Sequence, residues 1–443
     1  MKIPKRPPGF YTIYDKIKSD SSLFFRIISA VDGLLVHGKY LHWDKIRCYK
    51  TPDGLSHEQW WFGIKLKRRG LYKEISLADK DSHPFKFLDV DPMAKLLHSI
   101  DQCSSGTIGM SDKIVNPDTR NQYYLNSLIE EAITSSQLEG AATTRKIAKE
   151  MIRSGRRPSD RSERMILNNF QSMQQIVKLK KEPLTKDLIL RIHHLVTDQT
   201  LDDNSTAGRI RTPSESVVVA DMYDEVFHDP PLAHELDQRM QAMCDFANGK
   251  SPDYFIHPVV RSIILHFWLA YDHPFVDGNG RTARTLFYWS MLHYGYWLFE
   301  FISISQSMLK APAQYARAFL YTETDENDLT YFIIYHLQVI QKAIDQLHDY
   351  IKRHNQKLRY IQQHMQEDIT LNHRQRALIS HALRHPLQRY TIKVHQVSHG
   401  VVYQTARTDL FDLEKRGLLK SIKIGRTYCF MPVKDLETRL SGS

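Results

Sequence analysis

Residues 258–295 leave the chain little choice of structure. Pro258 is a favourable first-turn residue, and Val259, Val260, Ile263, Ile264, Phe267, Trp268 and Tyr271 follow it at the three-and-four spacing of a buried helix. A second helical run with Leu286, Phe287, Met291 and Leu292 stops near Gly295. Between the two runs lies Gly278-Asn279-Gly280, so a buried helix ends beside a short loop bracketed by glycines.

That loop carries chemistry. Glycines on both sides of Asn279 let backbone N–H groups turn toward one point, and the helix that follows adds the positive end of its dipole, which makes an anion site suited to phosphates. Arg281 and Arg284 are three apart on the first turn of that helix and reach the same anion. Asp277 is placed to hold a divalent cation between phosphate oxygens, since Mg²⁺ takes one or two carboxylates plus substrate phosphates. His273, four residues earlier, is the proton acceptor, able when neutral to take the proton of an attacking hydroxyl.

The segment HPFVDGNGRTAR, residues 273–284, resembles the motif HxFx(D/E)GNGRxxR of the Fic family at every specified position. The resemblance extends over about 122–345 and implies an all-α core whose activity is transfer of AMP from ATP to a Ser, Thr or Tyr hydroxyl of a target protein or of the chain itself. It implies that His273 is the general base, that Asp277 binds Mg²⁺, that Gly278, Asn279 and Gly280 hold phosphates, and that Arg281 and Arg284 neutralise them. It also implies a flap, with Val217, Val218 and Val219 aligning the target's backbone as an added strand. Upstream, Ser135-Ser136-Gln137-Leu138-Glu139-Gly140 resembles the family's inhibitory motif (S/T)xxxE(G/N). Ser135 and Glu139 on a helix near 130–140 would then dock against Arg284 in the place of the γ-phosphate. Family members also transfer other groups or remove AMP, and often form homodimers.

Around this core the expected architecture is mainly α. Residues 1–110 mix aromatic stretches with turn signals and read as an α/β module of unknown role; residues 122–350 form the helical core; residues 370–435 carry helix, helix, helix and hairpin, the order of a winged helix-turn-helix. In that tail Asn372 caps the first helix, the next two span 394–398 and 405–416, and a hairpin over 421–431 turns at Gly425-Arg426. The stretch 214–231, with its valines and two closing prolines, reads as a short hairpin or flap.

The net charge of +10 is concentrated after residue 350, where 17 Lys and Arg face 7 Asp and Glu. A nucleic-acid partner, if the chain has one, belongs there, with Gln404, Arg407 and Thr408 facing the major groove and Lys423 and Arg426 meeting phosphates. The alternative function is therefore a DNA-binding regulator with a nucleotide-sensing or self-modifying core. Cys48, Cys103, Cys244 and Cys429 have no zinc-ligand spacing, and His193, His194 and His266 read as core or surface histidines. With no signal-peptide core and no eighteen-residue stretch without a charge, the chain is expected in the cytoplasm and away from membranes.

Overall fold

The computed structural model describes residues 3–52, 54–104, 117–220, 226–367, 370–386, 388–424 and 427–440. Two compact units divide the chain, residues 1–108 with 127–344, and residues 109–126 with 345–443. Helices dominate and the sheets are small, as the sequence predicts.

The first unit begins with α1 (Phe10–Ile17), α2 (Ser21–Ser29), α3 (Trp43–Ile46), α4 (His57–Arg69), the antiparallel pair β1 (Lys73–Ala78) and β2 (Pro84–Phe87), and α5 (Asp91–Ser104). Then come α6 (Pro117–Leu138), α7 (Arg145–Ser154), α8 (Arg161–Leu179), α9 (Lys186–Thr197), the short pair β3 (Val219–Ala220) and β4 (Val226–His228), and α10 (Leu236–Ala247). Helices α11 (Pro258–Asp272), α12 (Asn279–His293), α13 (Ser305–Lys310), α14 (Pro312–Thr324) and α15 (Thr330–Glu367) complete the series. The starts follow local chemistry: Asp20, Ser56, Thr144, Asp160 and Thr185 each accept a first-turn N–H. Helices α11 and α12 lie at the centre, and nearly every side chain on both is buried.

The expected short hairpin is present as the antiparallel pair β3–β4. Of Val217, Val218 and Val219 only Val219 is in a strand, and Val218 is exposed. The short β-branched run lacks a covering layer, so it does not extend as a buried strand. The tip of the flap, 221–225, lies outside the described residues.

The N-terminal segment is fastened to the helical core by a buried polar network. Lys65 Nζ donates to Asp325 Oδ1 at 2.8 Å, and Tyr331 Oη donates to Asp325 Oδ2 at 2.7 Å. Arg68 donates to the carbonyls of Leu34 and Leu41 and to Tyr331 Oη, with its guanidinium 3.7 Å from the centre of the Tyr40 ring. Tyr40 and Tyr72 both donate to Asp328 Oδ2. Burial opposes the Asp325 charge, and Lys65 overcomes it, holding the carboxyl below its usual range.

The second unit takes the first part of α6 and the last part of α15, then α16 (His373–Arg384), β5 (Tyr390–Thr391), α17 (Ile392–His399), α18 (Tyr403–Lys415), β6 (Leu419–Ile424), β7 (Thr427–Pro432) and α19 (Leu436–Leu440). Asn372 and Gln375 form the capping box of α16. The hairpin is present, and β5 pairs with β7 to give the order β5-β7-β6, a strand the sequence reading did not contain. The turn expected at Gly425-Arg426 lies outside the described residues. Ile379, Leu410, Leu413 and Phe430 are fully buried in this unit's own core. Among the described residues no helix is long and apolar enough to cross a membrane.

Replacing Lys65 with Met leaves Asp325 buried without its cation. The expected loss of stability is ~3–5 kcal/mol, read from urea unfolding. A loss below about 1 kcal/mol would show that Tyr331 alone satisfies Asp325.

Candidate active site

Helix α11 ends by turning left-handed at His273, at φ +45°. The His273 Nδ1 lies 3.2 Å from the Ala270 carbonyl oxygen. A carbonyl only accepts, so the proton is on Nδ1 and Nε2 keeps its lone pair. Burial pushes the imidazole down to about 4, which makes it neutral at neutral pH. Arg211 fixes the same residue from behind: its Nε donates to the His273 carbonyl at 3.0 Å, and its backbone N–H donates to Pro274 O at 2.9 Å.

The loop after His273 is clamped from inside. Asn279 accepts the Phe275 N–H at 3.0 Å and donates to the Phe275 carbonyl at 2.8 Å, so its side chain closes the turn and leaves the backbone for a ligand. His193 on α9 stacks on Phe275 with centroids 3.7 Å apart. Its Nδ1 accepts the Gly208 N–H at 2.9 Å, so Nε2 carries the proton and donates to the Asp277 carbonyl at 2.9 Å. The Asp277 carboxylate is half exposed; Oδ1 accepts the Gly278 N–H at 2.5 Å, and Oδ2 stands 3.7 Å from Arg161 and 3.9 Å from Arg281.

Gly278 is required by its backbone conformation and by space, while at Gly280 the atoms in the way belong to the Glu139 carboxyl group. Gly278 has φ +83°, and a Cβ there would overlap Thr197 Cγ2; a Cβ on Gly280 would overlap the Glu139 carboxylate. Glu139 therefore lies directly on the backbone that the sequence assigns to phosphates.

Three residues of α6 and its end, Glu131, Ser135 and Glu139, are spaced by four and meet the core in a row. Arg284, 1% exposed, donates from Nε to Ser135 Oγ at 2.8 Å and from one terminal nitrogen to Ser135 O at 2.9 Å and Glu139 Oε1 at 2.8 Å. Burial works against the Glu139 charge, but Arg284 holds the carboxyl below its usual range. Arg281 is equally buried and donates to the Val196 carbonyl at 2.7 Å. Glu131 accepts from Tyr288 Oη at 2.9 Å, Ser303 Oγ at 2.8 Å, and Ser305 N and Oγ at 3.1 and 2.5 Å.

A cavity of about 210 Å³ opens beside these groups, with Glu139, His273, Gly280 and Arg284 on one side and Tyr271, Phe319 and Val219 among its apolar walls. His228 closes it at the flap. Its Nδ1 is 2.7 Å from Glu323 Oε2 and its Nε2 is 2.7 Å from the Tyr271 carbonyl, both acceptors, so the ring is an imidazolium that ties β4 to α14 and α11. Burial alone would lower its pKa; Glu323 and the carbonyl outweigh that and raise it.

The structure thus brings His273, Asp277, Gly278, Asn279, Gly280, Arg281, Arg284, Ser135 and Glu139 together, with Val219 at the cavity wall and Val217 and Val218 off it. Sequence reasoning missed Glu131, Arg211 and His228, and placed His193 only as a core or surface residue. His194 is exposed, and His266 is buried with Nε2 2.9 Å from Tyr315 Oη. The one signal that would have found Glu131 is its four-residue spacing from Ser135.

Compared with models of protein families, residues 183–291 match the Fic/DOC family. The chain carries a Fic domain. Relatives similar to it include the protein adenylyltransferase Fic of Nematostella vectensis, 39% identical over 107 residues, which are 24% of this chain and 22% of that protein. Another is the protein adenylyltransferase fic-1 of Caenorhabditis elegans, 31% identical over 121 residues, 27% of this chain and 22% of the relative. The matched part spans about a fifth of the length of either relative. A Fic family protein from Desulfovibrio desulfuricans G20 shares the fold at a TM-score of 0.52 and 18% identity, covering 78% of this chain and 97% of that one, so the structural likeness reaches well beyond the Fic domain.

The contact between Gly280 and Glu139 is testable. Gly280→Ala is expected to destabilise the chain less when Glu139 is also Gly, with a coupling of ~0.5–3 kcal/mol in a double-mutant cycle of thermal unfolding. Strict additivity would mean that the carboxylate does not sit on this backbone in solution.

Proposed function

We propose that the chain is a protein adenylyltransferase that moves AMP from ATP to a Ser, Thr or Tyr hydroxyl of a target protein or of itself, and that Glu139 holds it inactive. The observation that carries this reading is the Glu139 carboxylate paired with Arg284 over Gly280, beside a neutral His273 whose Nε2 lone pair is unprotonated.

In the productive state the N–H groups of the glycine loop and the guanidinium groups of Arg281 and Arg284 hold the ATP phosphates. The target hydroxyl oxygen attacks the α-phosphorus while its proton passes to His273 Nε2. The bond from the α-phosphorus to the bridging oxygen breaks, and pyrophosphate leaves with that electron pair. Asp277 fits a Mg²⁺ site, a half-exposed carboxylate at the edge of an anion cradle that leaves further positions to phosphates and water. When bound, the ion would neutralise charge on the phosphates. The apolar wall of Phe319, Tyr271 and Val219 suits a flat base, and His228 holds the flap against it. A carboxylate on Arg284 competes with the γ-phosphate for the same cation, so ATP is denied its productive pose while Glu139 stays docked. The reading places this activity in the cytoplasm, where ATP is supplied.

For the second unit the same reading is a winged helix-turn-helix, supported by its element order and by the exposed Gln404, Arg407 and Thr408 on α18. DNA binding by this unit predicts retention of duplex DNA by the full chain that falls steeply with salt; no retention at low salt removes it.

Purified wild type, Glu139→Gly and Glu139→Gly/His273→Ala, incubated with ATP and Mg²⁺, are to be compared by intact mass. Glu139→Gly alone is expected to gain AMP on itself or on added protein, and removal of His273 to lower the rate at least about 10²-fold. Equal labelling of wild type and Glu139→Gly would refute the inhibitory role. The rate of Glu139→Gly is also expected to stay level as pH falls through about 6.5, because a base whose pKa is depressed to about 4 remains unprotonated there. A loss of rate centred near the ordinary histidine value would contradict the buried, neutral ring.

A further inference from the structure

A second cavity of about 400 Å³ lies in the first unit, on the side of α14 away from the candidate active site. Tyr315, Ala316, Phe319, Leu320 and Glu323 of α14 face the active-site cavity, while Gln314, Arg317, Ala318 and Tyr321 face the second one. The three-and-four spacing of a helix separates the two sets.

The floor of this cavity is aromatic. His42 stacks on Tyr321 with centroids 4.3 Å apart and planes 16° from parallel, and Tyr331 meets His42 edge-on at 5.5 Å and Tyr40 at 5.0 Å. These rings are neutral. His42 Nδ1 accepts the Asp44 N–H at 3.1 Å, its Nε2 is 3.2 Å from Thr324 Oγ1, and burial pushes the imidazole down to about 4. The rim is cationic: Lys39, Lys45 and Arg317 all line the cavity, and among the described residues no acidic one does. None of the three side chains has a hydrogen bond or ion pair among the described residues. The nearest buried charges, Lys65, Arg68, Asp325 and Asp328, satisfy one another or tyrosines beneath the floor. Asp44 acts on both His42 and Tyr321 and offsets part of this charge, but three cations against one carboxylate leave the rim net positive.

We propose that this cavity is a binding site for a small organic anion with a flat aromatic body, the anionic group on Arg317 and the two lysines and the ring against Tyr321 and Tyr331. A bare inorganic anion would leave the aromatic floor uncovered. A neutral aromatic would leave the three cationic side chains of the lining without an anionic partner in the cavity. The volume falls within the usual range of small-molecule sites, about 300–1,000 Å³. The site does not depend on the activity proposed for the Fic domain.

The test uses the full chain and 8-anilinonaphthalene-1-sulfonate, a fluorescent aromatic anion, beside N-phenyl-1-naphthylamine, which has the same rings without the charge. The sulfonate is expected to bind at one site per chain and the neutral amine far more weakly. Arg317→Gln and Lys39→Gln/Lys45→Gln should each weaken the sulfonate about tenfold or more without moving the thermal midpoint. Phe319→Ala, on the opposite face of α14, should leave its affinity unchanged. Sulfonate binding that survives both charge-removing variants, that Phe319→Ala abolishes, or that the neutral amine equals, would overturn the proposal, as would no binding at all.

Discussion

Arg284 is a charge the fold has placed out of reach of water. Its guanidinium is 1% exposed, and an unpaired cation so deep costs several kcal/mol, so something anionic has to face it. The serine hydroxyl and carbonyl of Ser135 supply acceptors but no charge; Glu139 supplies the charge. Under the proposed activity, the docked carboxylate and the ATP phosphate are two answers to one requirement. Inhibition then needs no separate device, because the cation that makes the phosphate site is also what draws the inhibitor into it.

The rest of the site is arranged to keep that cradle rigid. The Asn279 amide closes the turn through Phe275, His193 holds the Asp277 carbonyl, and Arg211 holds the His273 carbonyl. Each acts on the backbone of the loop. Glycines at 278 and 280 let neighbouring groups come within a distance that any side chain would block.

Much of this was legible in the sequence, and the reason is local. From His273 to Arg284 the helix ends, the glycine loop and the spacing of the two arginines are local in sequence and could be read by spacing, while the clamps on that loop from His193 and Arg211 could not. Ser135 and Glu139 were legible because a resemblance supplied the partner that lies almost 150 positions away. Arg211, His228 and Glu131 were not, since each meets atoms remote in sequence and a lone Arg, His or Glu carries no mark of burial. Nor could composition show that Lys65 and Arg68, in a segment without motifs, are sealed against Asp325 and Tyr331. The flap was legible as a hairpin but not in the extent of its strands. Three consecutive valines look like strand, but Val218 is exposed and pairing begins only at Val219, because strand formation depends on a covering layer that spacing does not reveal.

Helix α6 is held very unevenly along its length. At Glu131 a carboxylate is fixed by four donors from three residues in the core, whereas Glu139 lies beyond the last helical residue, 28% exposed, bound by one ion pair. Just after it, Gly140 takes φ +88° with no atom near its α-carbon's open side. Torsion about a few bonds at this terminus moves the carboxylate, while extracting the helix means exposing Glu131 and all its donors. The two movements differ in the number of contacts broken, so under the proposed inhibition a release needs movement only of the segment around Glu139 and Gly140, with Glu131 left in place.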